Sequence, residues 1–193
     1  MQIKRRYILA GLILLVTLAI AGGIVLMNYH SNPKSYDLEE IEKKTNVEDN
    51  LKQVNQFLAE KDQERIRSFV KRRGWQMEQT GSGLWYMINK QGGGPPIREG
   101  MYVKLRYEIR LLDGTLCYSS DSTGAKIFRV GHEGATRGLQ EAMHFLHQGD
   151  HARIIVPPHM AHGLVGDGER IPARAILFYD VAVLEASRQK IRD

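Results

Sequence analysis

The stretch Tyr102–Ser120, YVKLRYEIRLLDGTLCYSS, alternates Val103, Leu105, Tyr107 and Ile109 against polar neighbours. A period of two places these apolar residues on one face of a strand, which predicts a half-buried strand over Tyr102–Leu112. Asp113-Gly114 supplies a tight turn, so Thr115–Tyr118 returns antiparallel to it. Three more β-prone runs follow, Lys126–Val130, Ala152–Val156 and Ala175–Leu184. One helix interrupts them: Leu139, Met143 and Leu146 recur at helical spacing and Gly149 ends the run. Upstream, Trp75–Glu78 and Leu84–Asn89 flank a Thr-Gly-Ser-Gly turn and predict a hairpin, after which Gly92–Pro96 (GGGPP) forces a loop. No internal repeat is present. Antiparallel strands with a single later helix predict an α+β domain, a curved antiparallel β-sheet wrapped around a single α-helix.

The 193 residues suit one such domain with appendages, and 42% apolar residues are enough for a core. The formal charge of +5 is dispersed, with local groups at Lys4-Arg5-Arg6 and Lys71-Arg72-Arg73 and no basic stripe interleaved with aromatics, so nucleic acid is not the expected partner. A single cysteine, Cys117, excludes an internal disulfide and any multi-cysteine zinc site, and its place in a strand reads as a small buried hydrophobe. Residues 1–6 form a cationic amino terminus, expected on the cytoplasmic side. Tyr7–Met27, YILAGLILLVTLAIAGGIVLM, carries no charge and as a helix would span a bilayer core. It reads as a transmembrane anchor, the alternative being a signal peptide cut after Ala19-Ile20-Ala21. Either way the rest of the chain is expected outside the cytoplasm, facing the periplasm. Residues 28–45 read as a linker and residues 46–74 as an amphipathic helical segment. Its apolar positions are 47, 51, 54 and 58, and a second piece starting at Asp62 turns Ile66, Phe69 and Val70 inward as far as Gly74. That segment is either a spacer packed on the domain or a dimerisation or partner-binding helix. Residues 75–99 are the hairpin and loop, and 100–187 the main domain.

Pro157–Pro172, PPHMAHGLVGDGERIP, holds His159, His162, Asp167 and Glu169 within a short span. Two histidines share a metal only if the backbone gives them a common face, and Pro157-Pro158 disfavours a regular helix there, so no metal is expected. Ser119 and Ser120 lack a glycine-flanked nucleophile elbow, and the chain has no phosphate-binding glycine loop, so no cofactor is expected either.

The motifs Tyr107, DGTLCYSS (Asp113–Ser120), IFRVG (Ile127–Gly131), TRGLQEA (Thr136–Ala142), GDHARIIVPP (Gly149–Pro158), HGLVGDGERIP (His162–Pro172) and LFYDVAVL (Leu177–Leu184) run in one order across Gly100–Leu184. In this register the chain resembles the FKBP family of peptidyl-prolyl cis-trans isomerases, and more narrowly its membrane-attached, gliding-motility-associated members. The resemblance implies an FKBP-like fold and isomerase activity on proline-containing polypeptides without metal or cofactor. It implies catalytic roles for Tyr107, Phe128, Thr136, His162 and Tyr179, and substrate contacts from Tyr118, Ala135, Leu139 and Ile171. Thr136 occupies the position whose backbone N–H binds a substrate carbonyl, and His162 that of a tyrosine hydroxyl donor. His162 and Ile171 are expected to point inward, and His159, Asp167 and Glu169 to face solvent or partners. Tyr118 stands where the family has a carboxylate, Leu139 replaces a tryptophan on the pocket floor, and Cys117 and Lys126 replace aromatics. Those departures imply a smaller floor, the loss of a charged hydrogen-bond partner and weakened activity. They leave open a second reading, a non-catalytic chaperone or binding subunit of an envelope complex.

Overall fold

The strand that opens the domain is β3, Tyr102–Leu111, and its alternation shows directly: Val103 and Leu105 are fully buried while Arg106 between later neighbours is exposed. The computed structural model describes residues 38–192, with side chains from Val47 onward. Before β3 come a long helix α1 (Leu38–Arg73) and the hairpin β1 (Glu78–Gln79) and β2 (Trp85–Lys90). After it come β4 (Leu116–Ser119), the short helix α2 (Ser120–Thr123), β5 (Lys126–Arg129), α3 (Arg137–Met143) and β6 (His151–Val156). A 3₁₀ turn over Pro158–Met160 and the last strand β7 (Leu177–Ser187) complete the order.

The strands form one sheet in the order β1-β2-β6-β7-β3-β4, every pair antiparallel. β5 shares an edge of β3 with β4: it pairs with Tyr102–Leu105, and β4 with Glu108–Arg110. Register shifts between Lys104 and Leu105 and between Ile109 and Arg110 mark irregularities that raise local twist, the device by which a sheet curves. On the inner face Ile154 faces Tyr179 and Val156 faces Leu177, all buried. There α3 lays down Leu139, Ala142 and Met143. The helix comes so close to β6 that a Cβ at Gly138 would collide with the Val156 side chain.

β6 and β7 alternate, so their other face is also apolar at this end, and Ile155, Phe178 and Trp85 lie outward. Ile66, Phe69 and Val70 of α1 cover it together with Ile176. Trp75 adds a tilted contact with Phe178 at 5.4 Å and an edge contact with Phe69 at 5.7 Å. Gln63 ties the hairpin to the same helix: its Oε1 accepts from Trp85 Nε1 at 2.8 Å and its Nε2 donates to the Gly83 carbonyl at 2.9 Å.

The chain divides into two compact units, residues 1–53 and 54–193. In the described part of the first, the backbone is the beginning of α1, and Val47 and Leu51 are exposed. Helix therefore begins at Leu38, inside the stretch expected as linker to residue 45. The expected break at Asp62 is absent too. Asp62 does not cap a new helix; its buried carboxylate accepts from Arg174 Nη2 at 2.8 Å, and the helix runs on to Arg73. The domain also holds α2 and the 3₁₀ turn besides the single expected helix, but α2 buries none of its residues and the turn adds only Met160 to the core that α3 fills. The expected membrane span at 7–27 lies outside the described residues. Among the described residues no helix is long and apolar enough to cross a membrane.

Candidate functional site

Where the curved sheet, α3 and the loop before β7 meet, they leave an open cavity of about 580 Å³. β3 contributes Tyr107 and Ile109, β4 Tyr118, β5 Lys126, and the loop into α3 contributes Gly134, Ala135 and Thr136. Leu139 of α3 and Tyr179 of β7 form the buried floor with Ile171. His162 and Asp167 come from the loop between the 3₁₀ turn and β7.

Local chemistry aims these side chains. The Tyr107 N–H donates to Ser120 Oγ at 3.1 Å, and its hydroxyl lies 2.8 Å from Thr123 Oγ1, so α2 clamps this ring. Ser119, the N-cap of α2, accepts from the Asp121 N–H at 3.2 Å. Thr136 is the N-cap of α3, with its hydroxyl 3.5 Å from the Leu139 N–H. Among the described residues no protein acceptor takes the N–H of Thr136. An N-terminal helix N–H is free in this way because the helix has no preceding turn to receive it.

Asp167 organises the loop. Its Oδ1 accepts from the backbone N–H groups of Glu169, Arg170 and Ile171 at 2.9, 3.0 and 2.8 Å. Its Oδ2 accepts from the Tyr118 hydroxyl at 2.5 Å. Gly166 sits at φ 74°, where a Cβ would strike the Ile171 carbonyl. The Tyr118 bond, helped by the three N–H donors, holds the Asp167 carboxyl well below the usual range, so it is ionised. The same bond, with partial burial, pushes Tyr118 up to about 12. Burial likewise pushes Tyr179 up to about 12, although a hydrogen bond from Thr136 opposes it. Both phenols are therefore neutral at ordinary pH. Burial is also the main reason the Cys117 thiol is raised, which leaves it protonated and unreactive.

The structure brings Tyr107, Tyr118, Ala135, Thr136, Leu139, His162, Ile171 and Tyr179 onto one cavity wall. Phe128 is the exception. It is 4% exposed and packs in the core behind Gly134, so it supports the wall without lining it. Asp167 is the larger correction: it turns into the cavity, where solvent was expected. The carboxylate absent at position 118 thus returns from the opposite loop, with Tyr118 as its donor. Gly166-Asp167-Gly168 held the signal, since an aspartate between glycines commonly closes a turn on its own downstream N–H groups. Lys126 also lines the cavity, as do Ile109, Thr123 and Gly134. Glu169 stays exposed, with a weaker 3.3 Å contact from the Tyr118 hydroxyl. His159 parts from His162, its ring 3.1 Å from the Ser82 carbonyl oxygen.

A curved antiparallel sheet closed over one short helix, with a half-open aromatic and apolar cavity at its end, defines a small-ligand or peptide-binding α+β domain of the FKBP type. Residues 94–184 match the family described as FKBP-type peptidyl-prolyl cis-trans isomerase, and the chain carries a domain of that family. A probable FKBP-type isomerase FkpA of Neisseria meningitidis is 34% identical over 107 residues, 55% of this chain and 39% of that protein. The FkpA of Buchnera aphidicola is 28% identical over 176 residues, 86% of this chain and 65% of that protein. The crystal structure of FkpA from Escherichia coli superposes with a TM-score of 0.58 at 25% identity, covering 89% of this chain and 81% of that one. The chain thus spans between two fifths and two thirds of the length of these two curated relatives.

Proposed function

We propose that the protein is a peptidyl-prolyl cis-trans isomerase that acts on proline-containing segments of exported polypeptides. The observation that carries this reading is the cavity itself. Its buried apolar floor of Leu139, Ile171 and Tyr179 supports a prolyl ring as occupant, and the Thr136 N–H, without a protein acceptor among the described residues, supports a contact to a substrate carbonyl.

Rotation about an X–Pro bond meets a barrier of about 18–20 kcal/mol because amide resonance holds the bond planar. Water on the carbonyl oxygen favours the polar planar form. A site that removes that water, and offers a single N–H to one carbonyl, favours the twisted amide in which resonance is lost. A ten-thousandfold acceleration needs about 5.5 kcal/mol of preference for the twisted state over the planar one. No bond to the protein forms. Tyr107, Tyr118, Tyr179 and His162 serve as walls and hydrogen-bond partners, and Ala135 leaves room for the chain to enter beside Thr136.

The apolar run Tyr7–Met27 behind a cationic start supports a single membrane span with the domain facing the periplasm. A second reading is favoured by Leu139 and Lys126, which leave the cavity without aromatics at these two places: a weakly active binding subunit of an envelope complex.

Cis-to-trans conversion of a Leu-Pro tetrapeptide, followed with wild type and Tyr107→Ala, decides between them. Wild type should accelerate the conversion, with kcat/KM reduced by about ten- to a hundredfold in the variant while thermal unfolding stays cooperative. A rate equal to the uncatalysed one with folded wild-type protein would exclude catalysis.

A further inference from the structure

Lys126 sits on the inner face of β5. Side chains alternate along a strand, and Phe128, two positions on, is buried in the core. The pairing agrees: Val103 lies opposite Phe128 and Leu105 opposite Lys126, and both β3 residues are fully buried. A lysine on a face otherwise given to apolar residues reaches the cavity wall half-buried. Among the described residues no carboxylate lies within ion-pair distance of it. Burial also lowers its pKa, the mark of an ammonium that has lost water without gaining a counter-charge.

Asp167, the other charge in the wall, keeps its negative charge but forms no ion pair with Lys126. Both oxygens of Asp167 are occupied by Tyr118 and by three backbone N–H groups. His162 is the remaining titratable side chain of the lining besides the three phenols, Tyr107, Tyr118 and Tyr179. A partly desolvated, unpaired cation gains more from an incoming carboxylate than a fully hydrated one does, because part of its dehydration has already occurred. The floor residues Leu139, Ile171 and Tyr179 are buried while Lys126 is only half-buried, so the lysine lies nearer the cavity mouth, on the side open to residues that flank a proline seated on that floor.

Resting on the isomerase reading, we infer that Lys126 sets substrate specificity, favouring prolyl segments with an acidic side chain next to the proline. The test uses the full chain and three peptides that differ at one place: Leu-Pro, Glu-Pro, and Leu-Pro followed by Glu. At low salt, kcat/KM should favour at least one glutamate peptide over the parent. That ratio should fall about tenfold in Lys126→Met, persist in Lys126→Arg and shrink with added salt. An unchanged ratio for both glutamate peptides in Lys126→Met overturns the inference, even if Leu-Pro turnover is normal. The same peptides, fluorescently labelled, give affinities by anisotropy. A chain that turns over no peptide thus fails the isomerase reading, while the acidic preference is still decided by whether the Glu-to-Leu affinity ratio collapses in Lys126→Met.

Discussion

Asp167 shows how much one side chain can settle at the scale of the residue. Three N–H groups and a phenol bind its ionised form, so the contacts that hold the loop over the cavity are strongest while that carboxylate is charged. Its folded-state pKa lies below the unfolded value, so the unfolded chain takes up the proton first as pH falls. The stabilisation is therefore complete above the ordinary carboxylate range and is lost progressively as pH drops below about 4. The melting temperature of wild type should fall more steeply between about pH 4 and pH 2 than that of Asp167→Asn, measured by calorimetry across that range. Parallel curves would remove Asp167 from this role. Tyr118 supplies the complementary readout. Its ionisation, at about 12 in the intact protein, should move down toward the ordinary phenol value in Asp167→Asn, followed by NMR of the tyrosine ring.

At the scale of the element, α1 has two different surfaces along one continuous helix. Val54 and Phe57 are exposed, whereas more than two turns further on Ile66, Phe69 and Val70 are sealed against β2, β6 and β7. Phe69→Ala should cost about 3–5 kcal/mol and Ile66→Val about 0.5–1.5 kcal/mol, because each leaves a cavity the sheet cannot close. Val54→Ala should stay within about 0.5 kcal/mol. Urea unfolding midpoints measure all three, and equal midpoints for Phe69→Ala and wild type would mean the helix does not dock. Asp62 and Arg174 make an asymmetric pair. Asp62 is 8% exposed in its side chain and Arg174 33%, so Arg174→Ala strands a buried carboxylate while Asp62→Ala lets the guanidinium return to water. Arg174→Ala should therefore be the more destabilising of the two, although Arg65 Nη1, 4.0 Å from Asp62, softens the loss.

For the whole molecule, the second core makes the end of α1 part of the domain and not a tether. Residues 54–193 form one unit, and a chain beginning at Val54 should unfold cooperatively and keep the cavity, as judged by circular dichroism and peptide binding. A chain beginning at Trp75 should uncover Trp85, Ile155, Ile176 and Phe178 and aggregate, since that patch would have lost its cover.

Much of this was legible in the residues alone. The period-two alternation of β3, the Asp113-Gly114 turn and the helical spacing around Leu139 determined the α+β fold, because strand and helix periods are local geometry, whereas the cavity residues came from the family resemblance that the later motifs carry. The tertiary structure alone decided that Asp62 is an ion-pair partner instead of a helix cap, that Phe128 stands behind the wall, and that Asp167 turns inward to Tyr118. Each of those outcomes depends on a residue far away in the chain: Arg174 for Asp62, Val103 of the paired strand for Phe128, and Tyr118 for Asp167. A side chain's burial and its hydrogen-bond partner are set by what packs against it, and that is fixed only when the sheet has curved around its helix.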